Sequence, residues 1–136
     1  MSTALECKTL EILHFDDCAD DRHAVETYLK QVYGDIAYTE ESTLLNLEGY
    51  LTSPLVDYFD VIICDYCMPV VDAGQKLKFL ADCNKEVIFY TCLSQRQFVE
   101  NVRSKLGYIP FNFKFIQKAT PDMFQNLTAC IDKIVK

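Results

Sequence analysis

Histidine is scarce in this chain, and that scarcity closes a route to function. Only His14 and His23 occur. There is no H-x-x-x-H spacing and no second C-x-x-C beside Cys64–Cys67, so the four ligands of a structural zinc site are not assembled. Glycine is sparse too. The four glycines form neither G-x-G nor G-K-[ST], which removes the glycine-rich loops that cradle a nucleotide's phosphates. No window reaches the roughly 18 apolar residues of a membrane span. The N-terminal MSTALECKTLEIL lacks the basic start, apolar stretch and cleavage site of a secretory signal. Positive charge is in the minority: 13 Lys+Arg against 20 Asp+Glu leave a formal net charge of −7. An acidic surface repels phosphate backbones, so direct nucleic-acid binding is not expected.

What remains is a chain of 136 residues, half of them apolar. That length predicts a single domain over 1–136, able to bury its core without disulfides or metals as staples. Seven cysteines are scattered through it: Cys7, Cys18, Cys64, Cys67, Cys83, Cys92 and Cys130. Without a secretory signal they are expected to be reduced thiols of a cytoplasmic protein, serving mostly as small apolar residues.

The apolar pattern alternates between two periods. Short β-rich runs fall at 10–15 (LEILHF), 35–39 (DIAYT), 58–64 (YFDVIIC), 86–91 (EVIFYT) and 111–116 (FNFKFI). Between and after them, helical spacing predicts helices over 21–32, 42–51, 74–83, 94–106 and 121–135. Thr120 before Pro121 suits an N-cap for the last of these, and Gly107 suits a helix stop. Strand–helix alternation argues for a parallel sheet with helices on both faces, and the unbroken VIIC for a strand buried on both sides. In such sheets ligands bind beyond the carboxyl ends of the strands. Those ends carry Asp16-Asp17, Asp65, Thr91 and Lys118.

Clustered carboxylates repel one another unless a cation sits among them. Hard oxygen ligands suit Mg²⁺ or Mn²⁺. A lysine and a hydroxyl opposite them suit an anion, and the set describes a phosphoryl clamp in which an aspartate can itself become the acyl phosphate. With no nucleotide loop, the phosphoryl group must come from outside. Each residue also has a plainer role open to it. Asp16-Asp17 could cap a helix, Thr91 could end a strand and Lys118 could be solvated. His14 fits a satisfied buried histidine and Cys64 a small core residue.

Taken together, ILHFDD, VIICDYCMPVVD, FYT and FIQK, in that order from Leu10 to Val135, resemble the response-regulator receiver domains of two-component signalling. The resemblance implies a doubly wound, flavodoxin-like α/β fold with five parallel strands in the order 2-1-3-4-5. It implies a signalling domain, not an enzyme in the ordinary sense, that assists its own phosphotransfer. Asp65 matches the phosphoacceptor. Asp16, Asp17, Asp65 and the backbone carbonyl of Cys67 match the Mg²⁺ ligands. Thr91 and Lys118 match the residues that hold the phosphoryl oxygens, and Thr91 with Phe115 the switch pair, although Phe115 could equally be sheet packing. The implied donor is a histidine kinase or a histidine phosphotransfer protein. The implied output surface for an effector or a homodimer is the 94–135 face. A receiver-fold interaction module that works without phosphorylation is the other reading, and a Cys64–Cys67 redox pair a third. Three departures stand out: Ala119 where the family has proline, Cys92 where it has alanine or glycine, and Asp72-Ala73-Gly74 in place of D-G.

Overall fold

The computed structural model describes residues 9–52, 54–69 and 72–135. Cys7, Val70 and Val71, which entered the sequence reading, lie outside the described residues. The strands are β1 (Leu10–Phe15), β2 (Ile36–Glu41), β3 (Val61–Cys64), β4 (Val87–Thr91) and β5 (Phe113–Gln117). The helices are α1 (Ala19–Tyr33), α2 (Leu47–Thr52), α3 (Ala73–Asp82), α4 (Gln95–Leu106) and α5 (Met123–Val135), with a 3₁₀ turn at Pro54–Tyr58. All strand pairs are parallel, in the order β2-β1-β3-β4-β5. This is the expected doubly wound order.

The central strands show why an apolar run without alternation means burial on both faces. Successive side chains of a strand point to opposite sides. Ile62 and Cys64 of β3 join Leu13, Phe15, Val87, Phe89 and Phe113 in a core closed by α2, α3 and α4. Val61 and Ile63 join Ile12, Ile88, Tyr90 and Ile116 in a second core closed by Val25 and Leu29 of α1 and Leu127 and Ile131 of α5. Helix ends follow local chemistry. Ser94 and Gln97 form a reciprocal capping box at the start of α4. Gly107 ends that helix at φ +85, a left-handed position that favours glycine, with its N–H on the carbonyl of Arg103 at 2.8 Å.

Of the expected boundaries that shift, four have a local reason in side-chain or turn chemistry. The helix expected over 42–51 begins only at Leu47, because Thr43 Oγ1 accepts from Leu45 N–H and holds the preceding residues in a turn. The strand expected from 58 begins at Val61. Tyr58 belongs to the turn opened by Pro54, and Asp60 instead pairs with β1, exchanging bonds of 2.9 Å with Glu11. The strand expected from 111 begins at Phe113. Phe111 is 90% exposed, and Asn112 is turned inward, its amide donating to the carbonyls of Leu80 at 3.1 Å and Lys85 at 2.8 Å. Thr120 does not cap α5. Its hydroxyl donates back to the carbonyl of Gln117, and the helix starts three residues later.

Charge is segregated along the sheet. Among the described residues, those up to 72 carry 14 acidic and 2 basic side chains, and those from 73 carry 5 and 9. The strand order puts β2, β1 and β3 on one side and β4 and β5 on the other.

Asn112 ties the end of α3 and the α3–β4 connection to the entry of β5 through the buried carbonyl of Leu80 and the part-buried one of Lys85. Asn112→Ala leaves both with only the weak Cys83 thiol donor, and is expected to lower unfolding free energy by roughly 2 kcal/mol. Urea denaturation of the two proteins measures the difference.

Candidate functional site

Three residues of the site are held by their backbones before their side chains act. Asp16 follows β1 and donates its N–H to Glu41, the last residue of β2, at 3.0 Å. Asp65 follows β3 and donates to Phe15, the last residue of β1, at 2.9 Å. Lys118 follows β5 and donates to Thr91, the last residue of β4, at 2.8 Å. Each sits one step past a strand yet remains in the ladder, so the sheet itself fixes where the side chains start.

The side chains converge. Lys118 Nζ lies 2.9 Å from Asp16 Oδ2, 3.1 Å from Asp65 Oδ2 and 2.7 Å from Asp21 Oδ2. It also stands 5.3 Å from the centre of the Tyr90 ring, within reach of the ring's negative face. Lys118 is 8% exposed and Asp16 fully buried. Their titration reflects both facts. Burial alone would raise Asp16, but His14, Lys118 and the Cys18 N–H outweigh it and hold the carboxyl below its ordinary value. Burial alone would lower Lys118, but hydrogen bonds to Asp21 and Asp16 and the charge of Asp65 outweigh it and push the ammonium up. Both groups therefore stay charged.

Two short turns complete the carboxylates. Asp16 Oδ1 accepts from Cys18 N–H and Asp65 Oδ1 from Cys67 N–H, each at 3.0 Å. The guanidinium of Arg22 reaches the carbonyl of Asp16 at 2.6 Å while also pairing with Glu40. Behind Asp16 is His14, fully buried as expected, its Nδ1 hydrogen-bonded to Tyr38 Oη and its Nε2 3.6 Å from Asp16 Oδ2.

Asp16, Asp17 and Asp65 offer carboxylate oxygens that all lie within 4.8 Å of one another. Asp16, Asp21 and Asp65 pair with the ammonium of Lys118, and Asp17 adds a fourth carboxylate beside Asp16 and Asp65. The cluster thus keeps an excess of negative charge and a set of hard oxygen donors. Both properties fit a small divalent cation such as Mg²⁺.

Thr91 is buried at the end of β4, with its Oγ1 3.3 Å from Cys67 Sγ. Phe115 is half-buried on the α4 face of β5, paired with Phe89 in the ladder, and its ring packs 5.3 Å from Phe98 of α4. Cys64 and Cys67 have parted. Cys64 is buried, its Sγ 3.6 Å from the carbonyl of Asp65, and burial with the charges of Asp65 and Asp16 pushes its thiol far up. Cys67 is exposed. The two sulfurs of C-x-x-C therefore stand in different environments, one inside the core and one at the surface.

Two participants escaped the sequence reading. Asp21 makes the shortest of the lysine's ion pairs, and Tyr90 lies under the ammonium. A carboxylate in the first turn of a helix reads as a favourable dipole partner. The missed signal was that this first turn follows directly on the strand end where Asp16 and Asp17 sit.

The Lys118 loop departs from an ordinary turn. The Lys118–Ala119 bond is trans and Ala119 sits at φ +62, in the left-handed region, with Met123 Sδ 3.1 Å from its N–H.

No protein-family model matches the chain, and no curated protein sequence does. Solved structures do. The signal receiver domain of the DNA-binding response regulator merR from Colwellia psychrerythraea 34H has a TM-score of 0.68 at 17% identity, over 93% of this chain and 98% of that one. The BeF3-activated receiver domain of DrrB from Thermotoga maritima has 0.67 at 16%, over 94% and 98%. The chemotaxis response regulator CheY4 of Vibrio cholerae has 0.65 at 16%, over 91% and 99%. The chain has the receiver-domain fold.

Two outcomes test the local physics. A carboxylate held low in the folded state adds stability above its ordinary value of 3.8, and that stability is lost as pH falls through the folded value. Stability should therefore fall with acidification below about pH 4, and less steeply in Asp16→Asn, when denaturation is followed at successive pH values. Ala119→Gly relieves a left-handed alanine and should raise stability by about 0.5–1 kcal/mol, whereas Ala119→Pro, which cannot reach φ +62, should lower it.

Proposed function

We propose that this chain is a phosphoacceptor receiver that takes a phosphoryl group on Asp65. The observation that carries the reading is the placement of Lys118 Nζ between Asp65 and Asp16, with both aspartates and the lysine anchored at paired strand ends. A phosphoryl group on Asp65 would find an ammonium already beside it. The donor is a histidine kinase or a histidine phosphotransfer protein, because the chain carries no nucleotide loop of its own.

In the transfer, a carboxylate oxygen of Asp65 attacks phosphorus in line. The phosphorus–nitrogen bond of the donor phosphohistidine breaks, and its electron pair leaves with the imidazole. Lys118 neutralises charge on the phosphoryl oxygens, and Asp21 keeps the ammonium in place while the carboxylate of Asp65 changes partner. Mg²⁺, bound by Asp16, Asp17, Asp65 and the Cys67 carbonyl, would supply the positive charge that brings two anions together. Thr91 Oγ1 then exchanges the Cys67 thiol for a phosphoryl oxygen. Phe115, packed on Phe98, couples this movement to the face made by α4, β5 and α5, where an effector or a second copy binds. Group transfer onto the chain's own side chain makes it a signalling domain and not a catalyst acting on a separate substrate.

Incubation with phosphoramidate and Mg²⁺ should add one phosphoryl group per chain, detected by intact mass. Asp65→Asn or omission of the metal should abolish it. Persistence of the added mass in the variant, or no uptake and no beryllofluoride binding by the native chain, would return the protein to an interaction module that works without phosphorylation.

A further inference from the structure

The two thiols that face the site are not the two that are neighbours in sequence. Cys64 turns into the core, while Cys67 and Cys92 are both exposed. β3 and β4 are adjacent, with Cys64 opposite Phe89, so Cys67 and Cys92 each stand three residues beyond that pair. Both lie past the ends of their strands, Cys67 in a turn and Cys92 in a bend, so the loops set the separation that a disulfide, with Cα atoms roughly 4.4–6.8 Å apart, has to bridge. Cys67 Sγ lies 3.3 Å from Thr91 Oγ1, on the residue directly before Cys92. Burial raises the Cys92 thiol, and it also feels the charges of Lys118, Asp65, Cys67 and Asp21, as a group near the same mouth does. Cys18 stands equally far beyond Phe15 of β1, which pairs with Cys64. There the chain turns away into α1, with its N–H on Asp16, and the Cys67 thiol leans toward β4 instead.

We propose that Cys67 and Cys92 form a reversible disulfide across the mouth of the site, a modification that shuts Asp65 off from a phosphoryl donor. The consequence for phosphorylation rests on the receiver reading above; the disulfide itself does not. The oxidant is a peroxide. The Cys67 sulfur attacks one peroxide oxygen, the oxygen–oxygen bond breaks, and one water leaves with a sulfenic acid on Cys67. The Cys92 sulfur then attacks that sulfur, displacing a second water. Two thiols lose two electrons and two protons, and one hydrogen peroxide becomes two waters. A dithiol reductant reverses the bond by exchange. Once formed, the bridge lies beside Asp65, pulls the Cys67 thiol off the Thr91 hydroxyl and joins the loops after β3 and β4.

The test treats the full chain with hydrogen peroxide. The expected result is a mass lower by two hydrogens, a Cys67–Cys92 linked peptide in a non-reducing digest, and loss of phosphoryl uptake from phosphoramidate that dithiothreitol restores. Cys92→Ala should take up phosphoryl in the reduced state and keep doing so after peroxide. Linkage of Cys67 to Cys18, sulfinic acid without a linked peptide, or a linked chain whose uptake is unchanged would each overturn the proposal. If the reduced native chain takes up no phosphoryl group, the receiver reading fails, and the mass and the linked peptide still decide the disulfide.

Discussion

Everything at the strand ends depends on one buried ammonium. An isolated charge taken out of water costs several kcal/mol, and neither Lys118 nor Asp16 has much water left. Each is tolerable only because the other is there. Asp65 and Asp21 complete the arrangement, and Tyr90 shields it from below. The strength of such a cluster lies less in its net energy than in its geometry, since removing one partner leaves the rest uncompensated. The ladder bonds at Asp16, Asp65 and Lys118 mean that this geometry is set by the sheet and not by flexible loops.

The sequence made the sheet legible because the two periods, near 2 and near 3.6, separate cleanly in the central elements. It made the site legible because a parallel sheet gathers all its strand ends on one edge, so Asp16, Asp17, Asp65, Thr91 and Lys118 could be grouped without a structure. What failed was information that periodicity does not carry. The apolar residues at 44–47 fit a helix, but a single hydroxyl at Thr43 fixes a turn there first. Thr120 has the right chemistry for a cap, yet its hydroxyl found a nearer carbonyl. Asp21 could not be assigned by spacing, because its role depends on the angle at which α1 leaves β1. The left-handed backbone at Ala119 had no signal beyond the absence of the expected proline.

The cysteines make the same point in another way. C-x-x-C is a pattern along the chain, whereas thiol chemistry depends on neighbours in space. The strand that carries Cys64 buries it, and the loop that follows exposes Cys67, so three residues of separation place the two sulfurs in opposite environments. The β3–β4 ladder instead ends at Cys64 and Phe89, and Cys67 and Cys92, 25 positions apart in sequence, each follow three residues beyond that pair.

The segregation of charge along the sheet gives the molecule a permanent direction in an electric field. One edge is rich in carboxylates and the other in ammonium and guanidinium groups, so an approaching macromolecule experiences a torque before it experiences a contact. An acidic partner is turned toward the β4–β5 side and a basic one toward the β1–β2 side. Two copies meeting symmetrically through the β5 side bring like charge against like, and two meeting head to tail do not. Added salt shortens the range of this steering to about a Debye length, roughly 8 Å at physiological ionic strength. The chain can therefore sort its visitors by sign and orientation while they are still separated by solvent.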